Sequence, residues 1–127
     1  MQVLIFDRSK DITKRIIDQI SETNRDITFY NADSFPASIN ILKECSPDVV
    51  LLDLNFPGNT AIELLKEIKK ANDKTVVIVW YTHADEQSLK LCRELGADFL
   101  IDKYDEFENK RFFTAIERTE KEIKSIL

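Results

Sequence analysis

Histidine occurs once in this sequence, at position 83. That alone excludes an HExxH zinc helix and a Cys2His2 finger, each of which needs two histidines. Glycine occurs twice, at 58 and 96, so neither the dinucleotide fingerprint nor a phosphate-cradling P-loop can be written anywhere in the chain. Cysteine also occurs twice, at 45 and 92. Two isolated thiols inside apolar helical patterns read as buried and reduced, not as a disulfide framework. Long hydrophobic runs are missing, and none approaches the ~20 residues of a membrane span. The first residues enter an apolar segment without a basic leader or cleavage site. The expectation is a cytoplasmic protein without membrane contact. Basic charge is in the minority, with 18 Lys and Arg against 23 Asp and Glu and a net charge of −5. That balance argues against a broad grip on nucleic acid.

What is present is a globular composition, 43% hydrophobic and 32% charged over 127 residues, which predicts one domain over residues 1–127. Five short apolar runs lie at residues 3–6, 27–30, 49–52, 76–81 and 99–101. They are β-branched or aromatic and continuous rather than alternating, as strands buried on both faces are. Helical stripes separate them: Ile12, Ile16, Ile17 and Ile20; Phe35, Ile39 and Leu42; Ile62, Leu65 and Ile68; Leu89, Cys92 and Leu95. A last stripe carries Phe112, Ile116, Ile123 and Ile126. Thr60 and Glu63 stand at capping-box spacing before the third helix, and Gly96 stops the fourth. Strand and helix alternate five times. The predicted fold is a flavodoxin-like (βα)5 three-layer α/β sandwich, with a parallel five-stranded sheet in the order 2-1-3-4-5.

In such a sheet the site lies outside the carboxyl ends of the strands, near the switch point between strands 1 and 3. Strand 1 ends in Asp7, followed by Arg8, Ser9 and Lys10. Strand 3 ends in Asp53, followed by Leu54 and Asn55. Strand 4 ends in Tyr81, Thr82 and His83, and strand 5 in Asp102 and Lys103. Two carboxylates and an ammonium are expected to meet in one crevice, where an Asp beside a Lys is a candidate nucleophile with its charge partner. An Asp just past a strand is also a common helix cap, an even alternative for Asp7. Trp80 reads as a packing residue, His83 as a loop residue, and Lys69 and Lys70 as a solvated helix end.

The combination resembles the receiver domain of bacterial two-component response regulators over essentially the whole chain. The resemblance is carried by Val3-Leu-Ile-Phe-Asp7, by Asp48-Val-Val-Leu-Leu-Asp53-Leu-Asn55-Phe-Pro57-Gly58, and by Glu94-Leu-Gly96-Ala-Asp98-Phe-Leu-Ile-Asp-Lys103. It implies that Asp53 accepts a phosphoryl group and that Lys103 pairs with it. It also implies that Asp7, Asp53 and the backbone carbonyl of Asn55 are metal ligands. No organic cofactor is implied.

Three positions depart from the pattern. Arg8 stands where a second carboxylate normally contacts the metal. A divalent cation about 4 Å from a guanidinium meets repulsion of several kcal/mol even at an effective dielectric near 20, so weak or absent Mg²⁺ binding is expected if Arg8 points inward. Arg8 can then replace part of the metal's work or pair with Asp53, or it can turn outward. Tyr81 stands where Thr or Ser bonds the phosphoryl group. Thr82 follows one place later, and such a slip turns a strand side chain to the other face unless a bulge intervenes. Leu100 replaces the aromatic switch residue of strand 5, and Tyr104 the usual proline after the lysine.

The reading is an atypical single-domain response regulator, phosphorylated at Asp53 by a histidine kinase or phosphotransfer protein. It is not an enzyme beyond that acceptance and autodephosphorylation, and it acts by docking on a protein target. The alternative is a pseudo-receiver whose partner binding is independent of phosphorylation. Pairing of two copies is left open. A flavin- or nucleotide-binding module is disfavoured, since the chain lacks a hydroxyl- and glycine-rich loop.

Overall fold

The structure, a computed structural model, describes residues 1–23, 26–105, 114, 116–119 and 121. Its elements run β1 (Gln2–Phe6), α1 (Lys10–Thr23), β2 (Thr28–Ala32), α2 (Phe35–Glu44), β3 (Val49–Asp53), α3 (Ala61–Ala71), β4 (Val76–Tyr81), α4 (Glu86–Glu94) and β5 (Phe99–Asp102). All pairings are parallel, and the strand order is β2-β1-β3-β4-β5. This is the predicted flavodoxin-like topology. The fifth helical stripe falls mostly outside the described residues; Ile116 within it is helical and buried.

Continuous apolar strands fit a sheet covered twice. Leu4, Phe6, Val50, Leu52, Val77 and Val79 face one core with Leu64, Leu65 and Ile68 of α3 and Cys92 of α4. Val3, Ile5, Val49, Leu51, Ile78, Trp80 and Ile101 face the other, with Ile16 and Ile20 of α1 and Ile116. The strand that departs most from expectation is β2, which runs Thr28–Ala32 rather than 27–30, while β1, β3 and β5 each gain one residue. It is an edge strand, so its ladder to β1 continues through polar Asn31, whose other side has no strand to face.

Helix ends show two further differences. Thr60 is the N-cap of α3, but its side chain makes no cap bond and its hydroxyl is buried without a partner. The cap adopts αR backbone angles rather than the extended ones that aim a cap oxygen at the helix. Lys69 is not a solvated end. Its Nζ donates to the Thr75 carbonyl at 2.6 Å and to Asp98 Oδ2 at 3.0 Å. Asp98 in turn accepts from the Val77 amide, so α3 is tied to the start of β4 away from the site. Cys45 caps α2 rather than lying within it and is half-buried, while Cys92 is fully buried; both are free thiols.

Gly96 ends α4 as expected. The Ala97 amide donates to the Cys92 carbonyl and the Gly96 amide to that of Arg93, the Schellman pattern. The Gly96 φ is +101°, which a side chain resists. Gly96→Ala is expected to destabilise the fold by about 1–2 kcal/mol, the cost of forcing a β-carbon into left-handed backbone. Urea midpoints of the two proteins check it; equal midpoints would mean that the helix end re-forms without a left-handed residue.

Candidate functional site

Parallel pairing brings the ends of β1, β3 and β5 to one edge, and three charged side chains meet there. Lys103 Nζ lies 3.1 Å from Asp7 Oδ2 and 3.5 Å from Asp53 Oδ1. All three side chains are nearly buried, at 9%, 2% and 11% exposure, which makes this a desolvated triad rather than a surface ion pair. Backbone amides hold the carboxylates in place. The Ser9 amide donates to Asp7 Oδ1 and the Asn55 amide to Asp53 Oδ1. Asp7 is not the cap of α1; that role falls to Ser9, whose hydroxyl accepts from the Ile12 amide. Lys103 is anchored by its own amide, which donates to the Tyr81 carbonyl.

Burial pushes the Asp53 carboxyl above the ordinary carboxylate range. Lys103 and the Asn55 amide pull against burial, and the Asp7 charge works with it. An inward Arg8 would have lowered Asp53 further, but Arg8 is exposed. Among the described residues its guanidinium forms no ion pair with either carboxylate. It lines a separate open cleft of about 570 Å³ with Lys10, Asp33, Phe35, Phe56 and Pro57. Of the three orientations open at the sequence level, this is the outward one.

The remaining candidates are placed as follows. Thr82 sits in the β4–α4 loop, where its hydroxyl and amide both donate to Asn55 Oδ1, at 3.1 and 2.8 Å. Asn55 Nδ2 donates to the His83 carbonyl. The Asn55 side chain, which sequence reasoning passed over in favour of its carbonyl, therefore staples two loops and occupies the Thr82 hydroxyl. Tyr81 is half-buried at the end of β4 and pairs with Asp102. Asp102 does not join the triad's ion pairs; its Oδ1 accepts from the Tyr104 amide in the following turn. Leu100 packs into the core on the α3 side, and Tyr104 is 80% exposed. Trp80 is the buried packing residue that the sequence suggests, but its contact with Lys103 is not legible there. Its ring lies under Lys103, with Nζ 4.7 Å from the centroid.

A receiver's Mg²⁺ can be tested against this donor set. Asp7 already accepts on both oxygens, and Asp53 Oδ1 accepts from Lys103 and Asn55. Arg8 contributes no carboxylate. Among the described residues, no three acidic, histidine or cysteine side chains are grouped to hold a metal ion. A hard dication wants several oxygen ligands, and Arg8 adds none to those of Asp7 and Asp53.

A doubly wound sheet with a buried Asp–Lys–Asp triad at its carboxyl edge defines a class of signalling domain. The response regulator receiver domain matches residues 3–117, and the chain belongs to that family, the receivers of two-component signalling. The transcriptional regulatory protein MalR of Bacillus subtilis is 37% identical over 86 residues, covering 67% of this chain and 35% of MalR. Sporulation initiation phosphotransferase F of the same organism is 36% identical over 70 residues, covering 55% of this chain and 56% of the relative. The chain spans only about a third to a half of MalR and of the Oceanobacillus iheyensis sensory transduction protein LytT. The signal receiver domain of a DNA-binding response regulator from Colwellia psychrerythraea 34H has the same fold, with a TM-score of 0.83 at 20% identity over 93% of this chain and 96% of that one. A receiver domain protein from Methanospirillum hungatei JF-1 gives 0.80 at 19% identity over 98% and 97%.

The raised Asp53 carboxyl has a consequence for stability. Such a group favours the fold below its unfolded value, and that contribution is lost as pH rises through the folded value. Ionised Asp53 therefore opposes folding at neutral pH. Asp53→Asn is expected to raise the urea midpoint at pH 7, with the gap closing below about pH 4, where free aspartates protonate. A midpoint lowered at pH 7 would show that the Lys103 pair outweighs burial.

Proposed function

We propose that Asp53 is the phosphoacceptor of this receiver, charged by a histidine kinase or phosphotransfer protein, and that the domain signals by docking on a protein target. The observation that carries the reading is the single ammonium of Lys103 shared between Asp7 and Asp53. In the proposed reaction an Asp53 carboxylate oxygen attacks the phosphorus of a phosphohistidine. The O–P bond forms as the P–N bond breaks, and the imidazole nitrogen leaves and takes up a proton. Charge on the transferring group must be neutralised, and Lys103 is the buried cation within reach of that oxygen. Incubation with a phosphorylated kinase, read on a phosphate-affinity gel, is expected to retard the wild type and not Asp53→Asn. A retarded Asp53→Asn would place the phosphate elsewhere.

A second reading, a pseudo-receiver whose binding ignores phosphorylation, is favoured by a specific feature. The Thr82 hydroxyl is committed to Asn55, and the switch positions carry Tyr81 and Leu100. Persistent failure of wild type to take phosphate on that gel would select this reading.

The weak Mg²⁺ site is proposed on the donor set. Mg²⁺ titration followed by Trp80 fluorescence is expected to show no saturation in the low millimolar range for wild type. Arg8→Asp, which supplies the missing carboxylate and changes the local charge by two units, is expected to bring saturation into that range. Tight binding by the wild type would refute the argument from the donor set.

A further inference from the structure

Lys103 leaves β5, yet its two carboxylate partners end β1 and β3. The sheet order puts β4 between β5 and β3. Neighbouring strands lie about 4.8 Å apart, so β3 is about 10 Å from β5. The lysine must lie flat across β4 to deliver its charge. Register decides what it lies on. Asp53 pairs with Trp80, and Trp80 pairs with Ile101. Trp80 is therefore level with Asp53 and on its face of the sheet, while Lys103 follows Ile101 by two residues and returns to that face. The outcome is the 4.7 Å approach of Nζ to the indole centroid, with Trp80 itself only 5% exposed.

We propose that Trp80 is a positioning residue of this receiver, holding the Lys103 ammonium by its indole face between Asp7 and Asp53. A buried ammonium gains from every favourable contact that replaces water around it. The negative face of an aromatic ring supplies one without adding charge, and such a contact strengthens when water is excluded. An aliphatic residue in this place would leave the ammonium free to tilt toward Asp7, the nearer partner at 3.1 Å, and away from Asp53. The role in phosphoryl acceptance rests on the reading of Asp53 above; the holding of the ammonium does not.

The test therefore has a structural arm and a reactive arm, on wild type, Trp80→Leu, Trp80→Phe and Lys103→Met. In the first, the Lys103 ε-methylene protons are followed by NMR. Ring current is expected to move them upfield of the other lysines in wild type. Trp80→Leu is expected to abolish the shift, and Trp80→Phe to keep part of it. Lys103→Met, which leaves the tryptophan in place, is expected to shift the indole emission. In the second arm, phosphoramidate serves as small phosphodonor. Trp80→Leu is expected to accept phosphate about ten-fold more slowly at saturating donor, with the half-saturating concentration unchanged and most of the rate restored in Trp80→Phe.

An ε-methylene shift in wild type no different from that of the other lysines, or indole emission unchanged in Lys103→Met, would overturn the proposal. So would wild-type rates in Trp80→Leu, and that result would leave Asp53 as acceptor untouched. A wild type that takes no phosphate yet shows both spectroscopic signatures would keep Trp80 as the seat of the ammonium and remove the phosphoacceptor reading instead.

Discussion

One ammonium shared by two buried carboxylates is the constraint around which this structure is arranged. Taking three charges out of water costs several kcal/mol per ion unless geometry and further hydrogen bonds compensate. Here the compensation comes from every neighbouring element. The Ser9 and Asn55 amides bond the carboxylates, and the Trp80 ring lies against the ammonium. The Tyr81 carbonyl fixes the lysine backbone. Compensation is incomplete at Asp53, where burial still wins and the carboxyl is raised.

Much of this was legible in the sequence because the fold is nearly one-dimensional in its logic. Continuous β-branched runs between amphipathic stripes leave few topologies once crossovers are right-handed, and the residue after each strand then falls on one edge. Asp7, Asp53 and Lys103 follow from that without knowledge of a single distance. The features that escaped are those that need register or a specific backbone angle. The role of Trp80 depends on how β3, β4 and β5 slide against one another, which no local pattern encodes. The Thr60 capping box fails because the spacing matches while the cap's backbone does not. Lys69 reads as solvated by composition, yet it is folded onto Asp98, a residue 29 positions away.

The departures from the family pattern are coupled in space in a way that the linear order hides. Tyr81 carries its hydroxyl at the far end of a ring rather than on Cβ, where a threonine ending β4 would have it, and the next residue, Thr82, is drawn away by Asn55. The Asn55 carboxamide spends its oxygen on the Thr82 amide and hydroxyl and its nitrogen on the His83 carbonyl. The β3–α3 and β4–α4 loops are thereby joined by side-chain bonds rather than through a ligand. Asn55's own amide also holds Asp53. Asn55 therefore touches both Asp53 and the β4–α4 loop.

Arg8 completes the electrostatic account by its position outside the triad. Within the triad the formal charge is two carboxylates against one ammonium, so among the described residues one negative charge exceeds the ion pairing. An inward guanidinium would neutralise it. The exposed Arg8 does so only through solvent, where screening reduces a unit interaction to about 1 kcal/mol or less. Its neighbours explain the outward course. Asp7 turns both oxygens to Ser9 and Lys103. The open cleft beside Lys10 and Asp33 gives it a hydrated alternative. With Arg8 outside the triad, Lys103, lying against the Trp80 ring, is the cation that the fold delivers to Asp53 among the described residues.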